Sequence, residues 1–176
     1  MINEAHAFSS AGLCGLRSVT TPLALCLALA ILCAFMPLDA AGAGPSSSVR
    51  PDGALDFINF DGQNVASIVI EIAETAAART RGLMERETLH LTDGMLFVFP
   101  QEAMLTFWMH NTFISLDILF VDKDRRVINI AEATTPMNST IQYHSQKPAQ
   151  YVVEVPAGFV KLHHIQKGMQ VRWRRR

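Results

Sequence analysis

Ser67-Ile68-Val69-Ile70-Glu71-Ile72-Ala73 is the stretch that decides the fold class. Ile68, Ile70 and Ile72 fall on one side of an extended chain, and Ser67, Val69 and Glu71 on the other. That period of two belongs to a strand with one buried face. Upstream, residues 55–60 read as a strand closed by Asp61-Gly62, a hairpin-type turn pair. Downstream, residues 74–87 break the rhythm: the Ala76-Ala77-Ala78 run, the arginine spacing and Leu83-Met84 predict a short helix ending near Gly82. Residues 94–99 (GMLFVF) form a continuous apolar run that Pro100 is expected to stop. Further strands are expected at 104–109, 114–121, 126–133 and 150–155, with a turn at Asp122-Lys123-Asp124. Pro156-Ala157-Gly158 leads into a short turn or helix over 159–165, and Lys167-Gly168 turns into a last strand at 169–173. Short strands at regular spacing with few helical stretches predict a mainly β chain. The expected form is a single compact β-sandwich or partly open barrel with one or two short helices.

Outside this region the character of the chain changes. Residues 22–36 (PLALCLALAILCAFM) carry no charge, too short a run for a stable membrane span and suited to a signal-peptide core. Arg17 supplies a thin positive region before it, and Ala41 and Ala43 give the small-x-small pattern of a cleavage site. Residues 1–43 are therefore expected to be a signal peptide, with an uncleaved membrane anchor as the alternative. All three cysteines (Cys14, Cys26, Cys33) lie in this leader, so the remainder has no disulfide, thiolate metal site or cysteine nucleophile. The Gly/Pro/Ser-rich residues 44–53 read as a flexible spacer, 54–173 as one β-rich domain, and 174–176 as a solvated basic tail. Beyond the leader, 14 basic residues balance 14 acidic ones, which argues against an electrostatic nucleic-acid partner. The expected location is the periplasm or the cell exterior, with membrane contact only through the signal peptide.

Several pieces of the domain stand out together. They are Gly82-Leu83-Met84-Glu85-Arg86, Gly94-Met95-Leu96-Phe97-Val98-Phe99, Phe107-Trp108-Met109-His110-Asn111-Thr112, Leu116-Asp117, and Tyr151-Val152-Val153-Glu154 with Gly158 beyond. In this order and spacing the chain resembles the small exported family known as domain of unknown function 192, over about residues 67–171. Ser115 departs from the pattern, which usually has Pro before the Leu-Asp pair, and loosens the turn expected there. The resemblance implies a compact β fold and no settled activity.

The chemistry must therefore be read from the residues. In a strand, Trp108 faces opposite to Phe107 and Met109. Asn111 and Thr112 at its end either satisfy their own turn or act as oriented hydrogen-bonding groups of a pocket floored by Trp108. Asp117, inside the apolar run SLDILF, needs a partner if buried. The sequence offers Arg79, Arg81 and Arg86, either as an internal brace or as a fork presented to an anion. Glu154, opposite Tyr151, Val153 and Val155, is either a solvated strand residue or a second pocket carboxylate.

These residues define a candidate ligand-binding set of Arg81, Trp108, Asn111, Thr112, Asp117 and Glu154. The leading reading is non-catalytic binding of a small ligand, an anion among the options, or of an envelope protein. One alternative is a small hydrolase or lyase with Asp117 or Glu154 as general base. Another is a Cu(I)-binding module drawing on six methionines (Met84, Met95, Met104, Met109, Met137, Met169) and on Met109-His110 beside Trp108. The histidines His90, His110, His144, His163 and His164 form no chelating spacing, so no closed metal site is expected, and no cofactor loop is recognised.

Overall fold

The structure, a computed structural model, describes residues 48–176. The expected signal peptide and the start of the spacer lie outside those residues. The alternating isoleucines form β2 (Asn64–Ala73), paired antiparallel with β1 (Gly53–Ile58) across the predicted turn, where Gly62 takes a φ of 79°. Asn59 N–H donates to the Gln63 carbonyl and Gly62 N–H to the Asn59 carbonyl, and this tight loop needs at Gly62 a positive φ that glycine adopts without steric cost. Next come α1 (Ala76–Arg81) and a loop, which carry the chain across so that β3 (Asp93–Ala103) lies parallel to β2. The remaining elements are β4 (Thr106–Phe107), β5 (Leu116–Val121), β6 (Val127–Ala131), β7 (Tyr143–His144), β8 (Ala149–Pro156), α2 (Phe159–Leu162) and β9 (Gln170–Arg175).

Seven strands form one sheet in the order β6-β5-β8-β3-β2-β1-β9, and β4 with β7 form a separate two-stranded ribbon. The outer strands of the large sheet approach each other at one end. Arg126 bridges Gln170, Val127 N–H donates to the Met169 carbonyl at 2.9 Å, and Val171 N–H donates to the Arg125 carbonyl at 2.9 Å. The sheet thus curls into a half-barrel. Of the two arrangements expected from the sequence, the partly open barrel is the one observed.

The curl gives the sheet two buried faces. On the concave side Leu55, Phe57, Ile70, Leu96, Val153 and Val155 pack with Phe159 and Val160 of α2. On the opposite side Met95, Phe97, Leu116, Ile118, Phe120 and Val152 pack under Leu83, Leu105 and Met109. Strands β3, β8 and β5 are covered on both faces, and all six residues of β5 are buried. Double coverage explains why residues 94–99 and 116–121 read as largely apolar runs, whereas β2, with only one face well buried over most of its length, alternates.

Three expectations are corrected. Pro100 does not end β3, because it falls in the irregular stretch between Val98 and Ala103 where the ladder to β8 is interrupted and no N–H is needed. Residues 48–52 are not a loose spacer. Ser48 donates through its N–H and hydroxyl to Asp93, Val49 is buried, and Asp52 accepts from Ile72 N–H. Arg174 and Arg175 are solvent-exposed as expected but are not a free tail. Both extend β9 against β1, with Arg174 on Asp56 and Arg175 on Glu74.

Candidate functional site

The convex face of β3, β8 and β5 carries a cleft of about 350 Å³. The alternation along β3 sends Met95, Phe97 and Phe99 toward this side, and the register sets Met95 opposite Glu154 of β8. Glu154 also lies opposite Ile118 of β5. Its neighbours on this face, Met95, Phe97, Ile118 and Phe120, are all buried and apolar.

Above them, α1 and the turn after it form one wall. Thr75 caps α1 by accepting from Ala78 N–H, and Gly82 ends the helix with its N–H on the Ala78 carbonyl. Gly82 has φ 50° and ψ −133°, and a Cβ there would lie 3.3 Å from the Phe97 ring. The glycine thus lets the backbone turn sharply while lying close over Phe97. Trp108 and Thr112 stand in the other wall, in the segment 106–112. Glu85 N–H donates to the Asn111 carbonyl at 2.8 Å and joins the two walls.

Glu154 sits at the bottom. Only 5% of its surface is accessible, and no group among the described residues donates to its carboxyl. Every fully enclosed polar side-chain atom of the described residues has a partner, so this unpartnered carboxyl keeps its slight access to the cleft. Burial alone raises its pKa to about 8, because an apolar setting without donors penalises the charged form. At neutral pH the cleft therefore has a mostly protonated acid at its floor.

The arginines divide by role. Arg79 donates to the Glu74 carbonyl and, at 3.0 Å, to the Val98 carbonyl. Its guanidinium also lies 4.9 Å from the Phe99 ring centroid, so it is occupied in holding α1 to β3. Arg86 pairs with Glu71 at 2.6 Å and donates to the Ser48 carbonyl. Arg81 is exposed at the rim, and its guanidinium makes no ion pair or hydrogen bond among the described residues.

Of the residues singled out from sequence, the structure brings Arg81, Trp108, Thr112 and Glu154 to this cleft. Trp108 is 51% exposed, tilted against His110, and forms part of the wall rather than the expected floor. Thr112 is buried, and its hydroxyl donates to the His110 carbonyl. Asn111 stands outside the lining as an exposed turn residue with φ 50°, a left-handed conformation that asparagine tolerates.

Asp117 is elsewhere. It faces the concave side, opposite Val155, and its expected arginine partner is replaced by backbone: Ala133 N–H at 2.9 Å and Val160 N–H at 3.0 Å. Gly158, the residue that starts α2, has no side chain to cap the helix, so Asp117 supplies the missing acceptor from a neighbouring strand. Its oxygens are thereby committed. Ser115, the departure from the family pattern, donates to the Thr134 carbonyl at 2.7 Å and ties the turn down. Met109 is fully buried while His110 is exposed on Ser139, so this adjacent pair does not converge on one point.

Sequence reasoning missed the aromatic walls, Phe97, Phe99 and Phe107. The period-two placement of Phe97 and Phe99 in residues 94–99 was the available signal.

Known proteins share this architecture. A protein of unknown function from Novosphingobium aromaticivorans is 36% identical and has a TM-score of 0.64, over 68% of this chain and 84% of that one. A putative transcription regulator from Sinorhizobium meliloti is 30% identical with a TM-score of 0.66, over 74% and 98% of the two chains. A UPF0127 protein of Pyrococcus abyssi is 29% identical over 106 residues, 59% of this chain and 85% of the relative. Another, from Thermococcus kodakarensis, is 27% identical over 106 residues, 59% of this chain and 64% of its own length. The family model DUF192, described as "Uncharacterized ACR", matches residues 57–173, reaching back into β1 beyond the motifs that first suggested it, and the chain belongs to that family.

Proposed function

We propose that this domain is a binding module whose convex cleft takes a small ligand bearing an anionic group, without converting it. One observation carries the reading: an uncommitted acid at the floor, an uncommitted arginine at the rim and an exposed indole in the wall share one cleft. Ligand sites of this size combine apolar walls with a few polar groups that fix orientation. Here Phe97, Phe99, Phe107 and Leu83 supply the walls, and Thr80, Thr106 and Thr112 line the cleft with hydroxyl-bearing side chains. Arg81 supplies the positive charge that an anionic group seeks.

A second reading is favoured by the raised pKa of Glu154, which suits a general acid or base working near neutral pH. Asp117 does not share that role, since both its oxygens are bonded to backbone and it faces the other side of the sheet.

Native mass spectrometry of the domain isolated from its own cells separates the two. A small molecule held by the wild type, lost from Arg81→Ala, and unchanged in mass after incubation with fresh protein is the result expected of a binding module. A released molecule whose mass changes on incubation favours acid–base chemistry. Retention that is indifferent to Arg81→Ala, or no retained molecule at all, refutes the cleft as the site.

A further inference from the structure

We infer that the ligand of this cleft is a zwitterion: its ammonium group lies against the Glu154 carboxyl among Phe97, Phe107 and Trp108, and its anionic group meets Arg81 at the rim. This inference rests on the binding reading above and deepens it by naming the charge pattern of the ligand.

Glu154 has no hydrogen-bond donor beside it on the sheet. Its neighbours on β3 and β5 are Met95, Phe97, Ile118 and Phe120, none of which donates a hydrogen bond. The charged groups facing it across the cleft are Arg79 and Arg81 of α1, and the segment 106–112 adds none to the lining. Arg79 is committed to two carbonyls and to the face of Phe99. The floor thus has a carboxyl whose charge no group among the described residues compensates.

A ligand cation provides that compensation. Beside a carboxyl as buried as that of Glu154 the attraction between ammonium and carboxylate is stronger than in solvent, and aromatic faces add to it. Phe97 and Phe107 meet edge to face with centroids 5.0 Å apart, and Trp108 stands in the same lining, so aromatic surface borders the floor. An anionic group at the same point would instead oppose ionisation of Glu154.

At the rim the preference reverses. The acids near α1 are mostly taken: Glu71 by Arg86 and Arg50, Glu74 by Arg175. Glu85 shares a shallow depression with Arg81 but forms no ion pair with it. Arg81 is left for an anion, and a ligand that satisfies both ends carries both charges.

Calorimetric titration of the wild-type domain at pH 7 tests this with three probes sharing one ring: L-phenylalanine, 3-phenylpropanoate and 2-phenylethylamine. Phenylalanine is expected to bind about 10-fold or more tightly than either single-headed probe, as a charge-assisted hydrogen bond at each end requires. Because Glu154 must ionise to receive the ammonium, runs in buffers of different ionisation enthalpy should report about 0.9 proton released per phenylalanine, given a pKa of about 8. Glu154→Gln should abolish that release and bring phenylalanine and 3-phenylpropanoate to similar affinity. Equal or tighter binding of 3-phenylpropanoate to the wild type, without proton release, overturns the zwitterion and leaves an anion-binding cleft standing. Absence of binding by all three probes at millimolar concentration overturns both.

Discussion

Replacing Glu154 by Gln should make the domain more stable in mild alkali while leaving its stability in weak acid almost unchanged. The unfolded chain gives up the Glu154 proton near pH 4.5, whereas the folded chain holds it to about pH 8. Between these values the folded state binds more protons than the unfolded state, so stability falls as pH rises, and the loss is complete above pH 8. At about 1.36 kcal/mol for each tenfold change in acidity constant, the interval from 4.5 to about 8 corresponds to ~5 kcal/mol, an upper figure because water entering the cleft relieves part of it. A loss of this size is comparable to the whole stability of many domains, so it should be visible without special conditions. Glutamine has nearly the same shape and no such titration. Urea unfolding followed by far-ultraviolet circular dichroism at several pH values between 4.5 and 9 should show the wild-type midpoint falling steadily relative to that of the variant. Curves that stay parallel across this range would refute the claim that an unpartnered carboxyl occupies the cleft floor.

Two other substitutions probe how the site is supported. Asp117→Ala removes the acceptor for two backbone N–H groups, at Ala133 and at the start of α2. Leaving the buried Val160 N–H unpaired and the part-buried Ala133 N–H without its acceptor should cost about 1–3 kcal/mol in urea unfolding, with ligand affinity per folded molecule unchanged, because Asp117 lies on the other face of the sheet. Gly82→Ala places a methyl group 3.3 Å from the Phe97 ring at a backbone conformation that side chains resist. It should destabilise by about 1–3 kcal/mol and weaken binding as well, since Gly82 and Phe97 both line the cleft. Unchanged affinity in folded Gly82→Ala would detach the cleft from ligand binding.

Much of the architecture was legible in local chemistry. The period of two in β2, the glycine turn at Asp61-Gly62 and the helix stopping at Gly82 each depend on residues close in sequence, and each appears where expected. Elements that depend on a distant partner were not legible. The strand expected at 104–109 contracts to β4, two residues long, whose partner β7 passed unnoticed between turn-forming residues. The basic end of the chain became strand because β1 offers it an edge together with Asp56.

The candidate site divides in the same way. By its alternation and composition alone, the chain determined that Glu154 would face away from Tyr151, Val153 and Val155, that Asp117 needed a partner if buried, and that Trp108 would face away from Phe107 and Met109. Only the curl of the sheet decided that Glu154 would lie beneath α1, among aromatic rings, without a donor, while Asp117 turned to backbone groups on the opposite face. The physical reason is that a side chain's direction is a property of its own strand. Its solvation and hydrogen-bond partners are supplied by strands and loops that pairing brings to it from far along the chain.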